Sequence, residues 1–312
     1  MEKIIKLQIN GKNINVNYKD IELFRNNLKR GKSNNDSDNN IRENIIYCII
    51  NKLIPLDWNK NNEWIELITG LEIYTDKLFN NNTKLSCIKV AGRKNYDFLI
   101  KNETESKTTD VKMEFKFGCS SVVKCPQFCS IPDKSGYDKF FYDEGYVKEI
   151  SKLYNITEIS REIYLKFVNQ CNFEKDIWFK NMYEIEDDDK KKKKSKSLLV
   201  DKSIDKFLTL LVKSDNFKDF IEYTTNHLID KHKGKKYACF NPKDKIFHFD
   251  EIDEAELKLK TFNGFDLNKS NLKKTLIFNT HNIKSHIHML LRWKNRKGIL
   301  YPAWQCKLFR NK

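Results

Sequence analysis

The chain lacks several features that would assign it to a membrane, a secretory route or a zinc module. No stretch approaches the roughly 20 apolar residues that span a bilayer. The opening residues, MEKIIK, carry charges where a signal sequence has an apolar core. The sequence contains no Cys-x2-Cys pair and no internal repeat. We therefore expect an intracellular protein, cytoplasmic or nuclear, that makes no membrane contact.

Acidic residues are also scarce relative to basic ones. The chain has 43 Asp and Glu against 58 Lys and Arg, which leaves a formal net charge of +15. A basic surface favours polyanions, because neutralising phosphates releases their counterions. Nucleic acid is the expected partner, and the alternative is that Lys and Asn are merely abundant in this chain. The 312 residues suffice for one large domain or two modest ones, and the oligomeric state is left open.

The cysteines and histidines do not form a convincing second metal site. Eight cysteines are spread along the chain, and we expect reduced thiols. Three of them cluster with Cys-x5-Cys-x3-Cys spacing but have no fourth ligand nearby, so we interpret them as free thiols instead of zinc ligands. Three histidines lie near one strand, and we interpret them as ordinary surface residues. These two groups are Cys119, Cys125 and Cys129, and His281, His286 and His288.

The pattern of apolar residues predicts an α+β chain in four segments. Residues 1–40 form a β-hairpin around Asn10-Gly11, followed by a loop. Residues 41–183 form a core with two helices, three strands and further helices. Residues 184–197, EIEDDDKKKKKSKS, form a charged flexible loop, with a nuclear import signal as the alternative. Residues 198–312 are helical and then strand-rich, and include a hairpin of IHMLLRW and ILYPAWQCKLF joined by KNRKG.

Two predicted strands of the core bring acidic residues together. In VKMEFKF the period of two places Lys112, Glu114 and Lys116 on one face and apolar residues on the other. If Glu105-Ser106 is the centre of the turn, Asp97 lies directly opposite Glu114, with Cβ atoms about 4.5–5.5 Å apart. Two opposed carboxylates are costly without a cation. The sequence therefore predicts a divalent metal, Mg²⁺ or alternatively Mn²⁺, because both accept oxygen ligands.

This pattern resembles a known nuclease superfamily. Asp97, sixteen intervening residues and Glu114-Phe115-Lys116 on an apolar strand are similar to the motif of the PD-(D/E)XK, or restriction-endonuclease-like, superfamily. The resemblance covers roughly residues 41–130. It implies a mixed β-sheet flanked by helices, with Asp97 and Glu114 as metal ligands and Lys116 assisting the nucleophilic water. The family often has Pro before the Asp, and this chain has Tyr96 there.

The resemblance also implies two supporting residues. Glu43 on the helix before the sheet would offer a third carboxylate to the metal, with Glu66 as the less favoured substitute. Gln127, just beyond the motif strand, would lie near substrate or metal. The function implied is Mg²⁺-dependent hydrolysis of phosphodiester bonds, with DNA as the expected substrate and RNA as an alternative. A non-catalytic basic nucleic-acid-binding protein is the competing hypothesis.

Basic and aromatic residues in two regions are candidates for contacts with nucleic acid. Cations near the motif can neutralise phosphates. The segment LRWKNRKGILYPAW mixes cations with aromatic rings that can stack on bases, although a hairpin with a charged turn explains it equally well. The candidates are Arg93, Lys94, Lys112 and Lys124 near the motif, and Arg292, Trp293 and Lys294 in the later segment.

Overall fold

The structure is a computed structural model that describes most of the chain. The described residues are 3–25, 35–79, 84–90, 95–104, 107–125, 128–169, 177–267, 271–296 and 299–311. Backbone contacts divide the chain into two compact units. Unit 1 comprises residues 1–126 and 231–253, and unit 2 comprises residues 127–230 and 254–312. Within the ranges given above, no helix is both long and apolar enough to cross a membrane.

Helices and strands both contribute, as expected for an α+β chain. The strands are β1 (Ile4–Ile9), β2 (Lys12–Asn17), β3 (Lys84–Lys89), β4 (Phe98–Glu103), β5 (Thr108–Phe117), β6 (Cys129–Pro132), β7 (Lys235–Asn241), β8 (Ile246–Glu251), β9 (Leu259–Leu267), β10 (Lys273–Thr280), β11 (Ser285–Arg296) and β12 (Ile299–Arg310). The helices are α1 (Asn35–Ile50), α2 (Asn62–Phe79), α3 (Tyr137–Asp143), α4 (Tyr146–Tyr154), α5 (Arg161–Asn169), α6 (Ile177–Asp188), α7 (Lys190–Leu211), α8 (Phe217–His232) and α9 (Glu254–Leu257).

The N-terminal hairpin is confirmed. Strands β1 and β2 pair antiparallel from Ile4 opposite Asn17 to Ile9 opposite Lys12. Asn10 and Gly11 have φ angles of 52° and 75°, which is the left-handed geometry that a two-residue hairpin turn requires. The second half of the segment predicted as a loop is helical, since α1 begins at Asn35. Polar residues are tolerated in the first turn of a helix, where they can satisfy free backbone N–H groups.

The sheet of unit 1 is mixed and has the strand order β3-β4-β5-β7-β8. The three strands predicted before residue 118 are confirmed and pair antiparallel. Strand β7 then lies parallel to β5, and β8 pairs antiparallel with β7. One sheet face carries the buried Met113, Phe115 and Phe117 of β5, and the core continues into Ala238 and Phe240 of β7. Helix α1 packs against β3 and α2 against β8.

The sheet of unit 2 is antiparallel throughout, with the strand order β6-β12-β11-β10-β9. The C-terminal hairpin is present, but its strands are longer than predicted. Pairing of β11 with β12 continues to Arg296 opposite Ile299, so most of the predicted KNRKG connection is strand. Leu291 and Trp304 are fully buried in this unit, and α7 packs against β10.

The charged run at residues 184–197 is helical, so the prediction of a flexible loop is wrong. The end of α6 and the first turns of α7 contain it. Asp189 caps α7, because its carboxylate accepts hydrogen bonds from the backbone N–H groups of Lys191 (3.0 Å) and Lys192 (2.9 Å). Lysine has a high helix propensity. The later turns of α7 bury apolar residues including Phe207 and Leu208, which stabilises the whole helix.

The two units do not follow the predicted segment boundaries. Residues 231–253, which the sequence places in the C-terminal region, supply β7 and β8 to the sheet of unit 1. Residues 127–183, predicted as part of the core, belong to unit 2. The difference arises because β5 and β7 are parallel, and parallel strands require a long crossover. No local pattern reveals a pairing across such a distance.

Candidate active site

Asp97 lies opposite Glu114 at the end of the β4–β5 ladder, as the predicted register requires. Phe98 pairs with Met113, and the backbone N–H of Asp97 donates to the carbonyl oxygen of Met113 (3.0 Å). The carboxylate of Asp97 turns toward β5, where its Oδ2 accepts a hydrogen bond from the backbone N–H of Phe115 (2.8 Å). This bond fixes the Asp97 side chain beside the polar face of β5.

Glu114 is held between two lysine ammonium groups. Its Oε1 is paired with Nζ of Lys116, and its Oε2 is paired with Nζ of Lys235. Lys235 projects from β7, and its side chain is 4% exposed. The side chains of Glu114 and Lys116 remain 13% and 27% exposed, so solvent reaches this face of the sheet.

Glu43 of α1 supplies a third carboxylate to the same region. Its negative charge acts on Asp97, and its Oε2 pairs with Nζ of Lys89 on β3 (3.0 Å). Lys89 also donates to Oδ1 of Asn44 (2.7 Å). The substitute considered from the sequence, Glu66, instead pairs with Lys245 (2.7 Å). We call Glu43, Asp97, Glu114 and Lys116 together the carboxylate site.

The surroundings of Asp97 raise its affinity for a proton. Burial, followed by the charges of Glu43 and Glu114, raises the pKa of Asp97 to about 7, against the opposing effects of the Phe115 N–H and Lys116. Burial alone would lower the pKa of Lys116, but the Glu114 carboxylate reverses this effect and raises it above its usual value. Lys116 is therefore an ammonium in this arrangement, able to donate hydrogen bonds or to offset negative charge.

Among the residues the structure describes, no three His, Cys, Asp or Glu side chains are close enough together to hold a metal ion. The lysine pairs of Glu114 partly account for this, because ammonium groups occupy both of its oxygens. The thiols of Cys119 and Cys125 do lie 3.2 Å apart. Cys129 belongs to β6 in unit 2. Hydrogen bonding with Cys119 and burial raise the pKa of Cys125.

The histidine group is packed against an aromatic ring. The rings of His286 and His288 lie 5.2 Å apart, and each contacts the ring of Phe309. Burial lowers the pKa of both histidines. His288 lies 3.8 Å from Asp266, and His281 is exposed in the turn before β11. His281 is therefore a surface residue as predicted, whereas His286 and His288 are partly buried against Phe309 instead of lying freely on the surface.

The predicted nucleic-acid contacts divide between the two units. Lys112 is exposed on the polar face of β5, where its ammonium lies 5.7 Å from the centroid of the Tyr96 ring. Lys124 is exposed and donates to Oγ of Ser120 (2.8 Å). Arg292 belongs to β11 of unit 2. Trp293 follows Arg292 on β11, whereas Arg93, Lys94, Gln127 and the side chain of Lys294 lie outside the described residues.

Sequence reasoning missed two residues of this region, Lys89 and Lys235. Both are lysines on strands, and both pair with a carboxylate of the site. The sequence gives a partial signal for Lys89, because this residue lies in LSCIKV, a segment that the sequence predicts as a strand. Lys235 gave no local signal, because it reaches Glu114 only through the parallel pairing of β5 with β7.

Comparisons with protein-family models, curated proteins and solved structures found no match to this chain.

Proposed function

We propose that the chain is a Mg²⁺-dependent nuclease that hydrolyses phosphodiester bonds, with DNA as its substrate. The observation that carries the proposal is the convergence of Glu43, Asp97, Glu114 and Lys116 at one end of the β4–β5 ladder. Carboxylates that are brought together despite their repulsion, and that remain partly exposed, are typical of functional sites. The net charge of +15 fits a polyanionic substrate.

The mixed sheet of unit 1 supports the proposal. Asp97 and Glu114 lie at adjacent strands of a sheet that combines antiparallel and parallel pairing, and α1 packs beside it. This is the arrangement that the resemblance to the PD-(D/E)XK superfamily implies. Glu43 lies on a helix that precedes the sheet in sequence, as that resemblance also implies.

The donor chemistry fits a hard divalent cation. The three carboxylates offer only oxygen, which Mg²⁺ and Mn²⁺ prefer. The raised pKa of Asp97 reflects its burial first and then the negative charges of Glu43 and Glu114, which Lys116 does not fully offset. Asp97, Glu114 and Glu43 would hold the cation only after their side chains move closer together than they lie in the described residues. Lys116 and Lys235 would then exchange their pairing with Glu114 for other partners.

The residues of the site have distinct roles in this proposal. A bound cation would lower the pKa of a coordinated water and offset charge on phosphate oxygens. The Lys116 ammonium would orient the attacking water or donate to a phosphate oxygen as negative charge develops. The exposed Lys112 would contact the backbone of the substrate. The hydrogen bond from Phe115 N–H would keep the Asp97 carboxylate in position.

A specific observation favours the alternative of a non-catalytic basic protein that binds nucleic acid. Both carboxylate oxygens of Glu114 are paired with lysines, so the group can act as a structural ion-pair network. In that case Lys112 and Lys116 would bind phosphates and the carboxylates would serve only to balance charge. Both functions predict salt-sensitive binding, and cleavage separates them.

The test is a cleavage assay with linear, circular and single-stranded DNA and with RNA, in Mg²⁺, Mn²⁺ or chelator. Asp97→Asn and Glu114→Gln should each lower the rate by more than about a hundredfold, since even residues that only support metal ligands cost 10–100-fold. Asp110→Asn is the matched control, because Asp110 lies on β5, the strand that carries Glu114, and is exposed. Cleavage that persists in chelator, or in both variants, would overturn the proposal, and retained binding without cleavage would favour the alternative.

A further inference from the structure

A cavity of about 560 Å³ lies within unit 2. Ligand pockets usually have volumes of roughly 300–1,000 Å³, so it can hold a ligand of nucleotide size. Helix α7 supplies one side of its lining through Lys193 and Lys196, and β10 contributes Lys274. The other side includes Arg292 and Trp293 of β11.

The described lining of this cavity is strongly basic. Lys193, Lys196, Lys274 and Arg292 face one acidic residue, Asp201, which pairs with Lys274 (2.6 Å). The described lining therefore carries a formal charge of +3, four cations against one carboxylate. A concave surface of this charge attracts an anion.

The cavity also has an apolar and aromatic part. The indole of Trp293 is fixed by an edge-on contact with Phe141 (ring centroids 4.9 Å apart) and by its Nε1, which donates to the hydroxyl of Tyr137 (3.4 Å). Ile204 and Leu291 are buried beside it and also line the cavity. A fixed aromatic ring next to aliphatic side chains is a surface on which a flat, partly apolar group can stack.

Arg292 lies between these two parts of the lining. Its Nη1 donates to Oε1 of Gln305 on β12 (3.0 Å), which orients the guanidinium while leaving further N–H donors. Arginine offers five donors in a planar fork that matches phosphate geometry. A cationic rim joined to an aromatic wall suits a ligand with an anionic end and a flat ring.

We propose that this cavity binds a nucleotide unit, with its phosphate on Lys193 and Arg292 and its base against Trp293. A free mononucleotide and one residue of a nucleic-acid strand offer this same chemistry. The site lies in a different unit from the carboxylate site, and the inference holds whether or not the chain cleaves DNA.

The experiment is calorimetric titration of the full chain, in chelator to prevent cleavage, with deoxymononucleotides, single-stranded oligonucleotides and inorganic phosphate. Lys193→Ala and Arg292→Ala should each weaken nucleotide binding by about tenfold, as expected for the loss of one charge-assisted contact. Lys194→Ala is the matched control, because this neighbouring lysine of α7 is exposed and does not line the cavity. Circular dichroism melting identifies any variant that is misfolded, and Lys193→Ala alone still tests the site if Arg292→Ala unfolds.

Mononucleotides that bind as tightly as the oligonucleotides would assign the site to a free nucleotide. Binding of the oligonucleotides alone would assign it to a nucleic-acid strand. Either result supports the proposal if Lys193→Ala and Arg292→Ala weaken nucleotide binding and the control Lys194→Ala does not. Inorganic phosphate that binds as tightly as a mononucleotide would overturn the role of the base. Absence of binding, or unchanged binding by both lining variants, would overturn the site altogether.

Discussion

Replacing Asp97 by Asn tests the electrostatics of the carboxylate site without any assumption about catalysis. In the folded protein the pKa of Asp97 is raised to about 7 by burial, Glu43 and Glu114, whereas an unfolded Asp has a pKa of about 3.9. The folded state therefore binds a proton that the unfolded state releases between these values. The stability contributed by this group is present at low pH and is lost as pH rises toward 7.

The magnitude follows from the pKa difference. About three pH units at roughly 1.4 kcal/mol each give an upper limit of about 4 kcal/mol for the cost of ionising Asp97 in the folded state. Asn is nearly isosteric with a protonated Asp and can accept the hydrogen bond from Phe115 N–H. We expect Asp97→Asn to raise the free energy of unfolding by about 2–4 kcal/mol at pH 8 and to change it little at pH 4.

The assay is urea unfolding in chelator at both pH values, with Asp110→Asn as the control. Asp110 lies on β5, the strand that Asp97 faces, and is exposed, so its substitution should leave stability within about 0.5 kcal/mol at either pH. Equal effects of Asp97→Asn at pH 4 and pH 8, or a loss of stability at pH 8, would refute the account of a strained cluster of carboxylates.

Three further predictions concern the same fold. Mg²⁺ or Mn²⁺ should raise the thermal unfolding midpoint of the wild type, because a ligand that binds the folded state stabilises it. Asp97→Asn should remove most of this increase in the midpoint. An increase of the same size in the variant would exclude Asp97 as a metal ligand. Lys235→Met should lower the free energy of unfolding in urea by about 3–5 kcal/mol, since it leaves the Glu114 carboxylate without its buried partner. The control Lys236→Met, at an exposed ion pair of the same strand, should cost less than about 1 kcal/mol. Equal costs for the two variants would contradict a special role for the buried pair. Asp189→Ala should destabilise α7 by about 1 kcal/mol because it removes the cap, measured by the same unfolding assay, and an unchanged midpoint would show that the cap contributes nothing.

Short-range patterns predicted the local part of the site. The alternation in VKMEFKF and the length of the turn before it placed Asp97 opposite Glu114, and the structure has that register. A hairpin is set by residues close in sequence, so its pairing can be read from periodicity. Glu43 was inferred through the family resemblance, and its charge does act on Asp97.

The pairing of distant strands and the helical state of the charged run were not predicted from the sequence. The parallel pairing of β5 with β7 brings Lys235 to Glu114. No sequence pattern near either residue predicts this pairing. The run from Glu184 to Ser197 reads as a solvated loop by composition. It is helical because Asp189 caps α7 and because apolar residues further along that helix are buried. Tertiary structure alone decides the pairing of Lys235, whereas the helix depends on a local cap together with tertiary burial.

The parallel pairing of β5 with β7 also constrains the order in which the chain can acquire its structure. The second sheet partner of β5, β7, is synthesised only after all of the first part of unit 2. More than a hundred residues separate Phe117 from Lys235, a stretch that takes roughly 6–24 seconds to synthesise at about 5–20 residues per second. During that interval the β7 side of β5 has no native strand to pair with, and Glu114 lacks its buried counter-charge. An unpaired strand edge favours aggregation, so the nascent chain is exposed to this hazard until β7 has emerged.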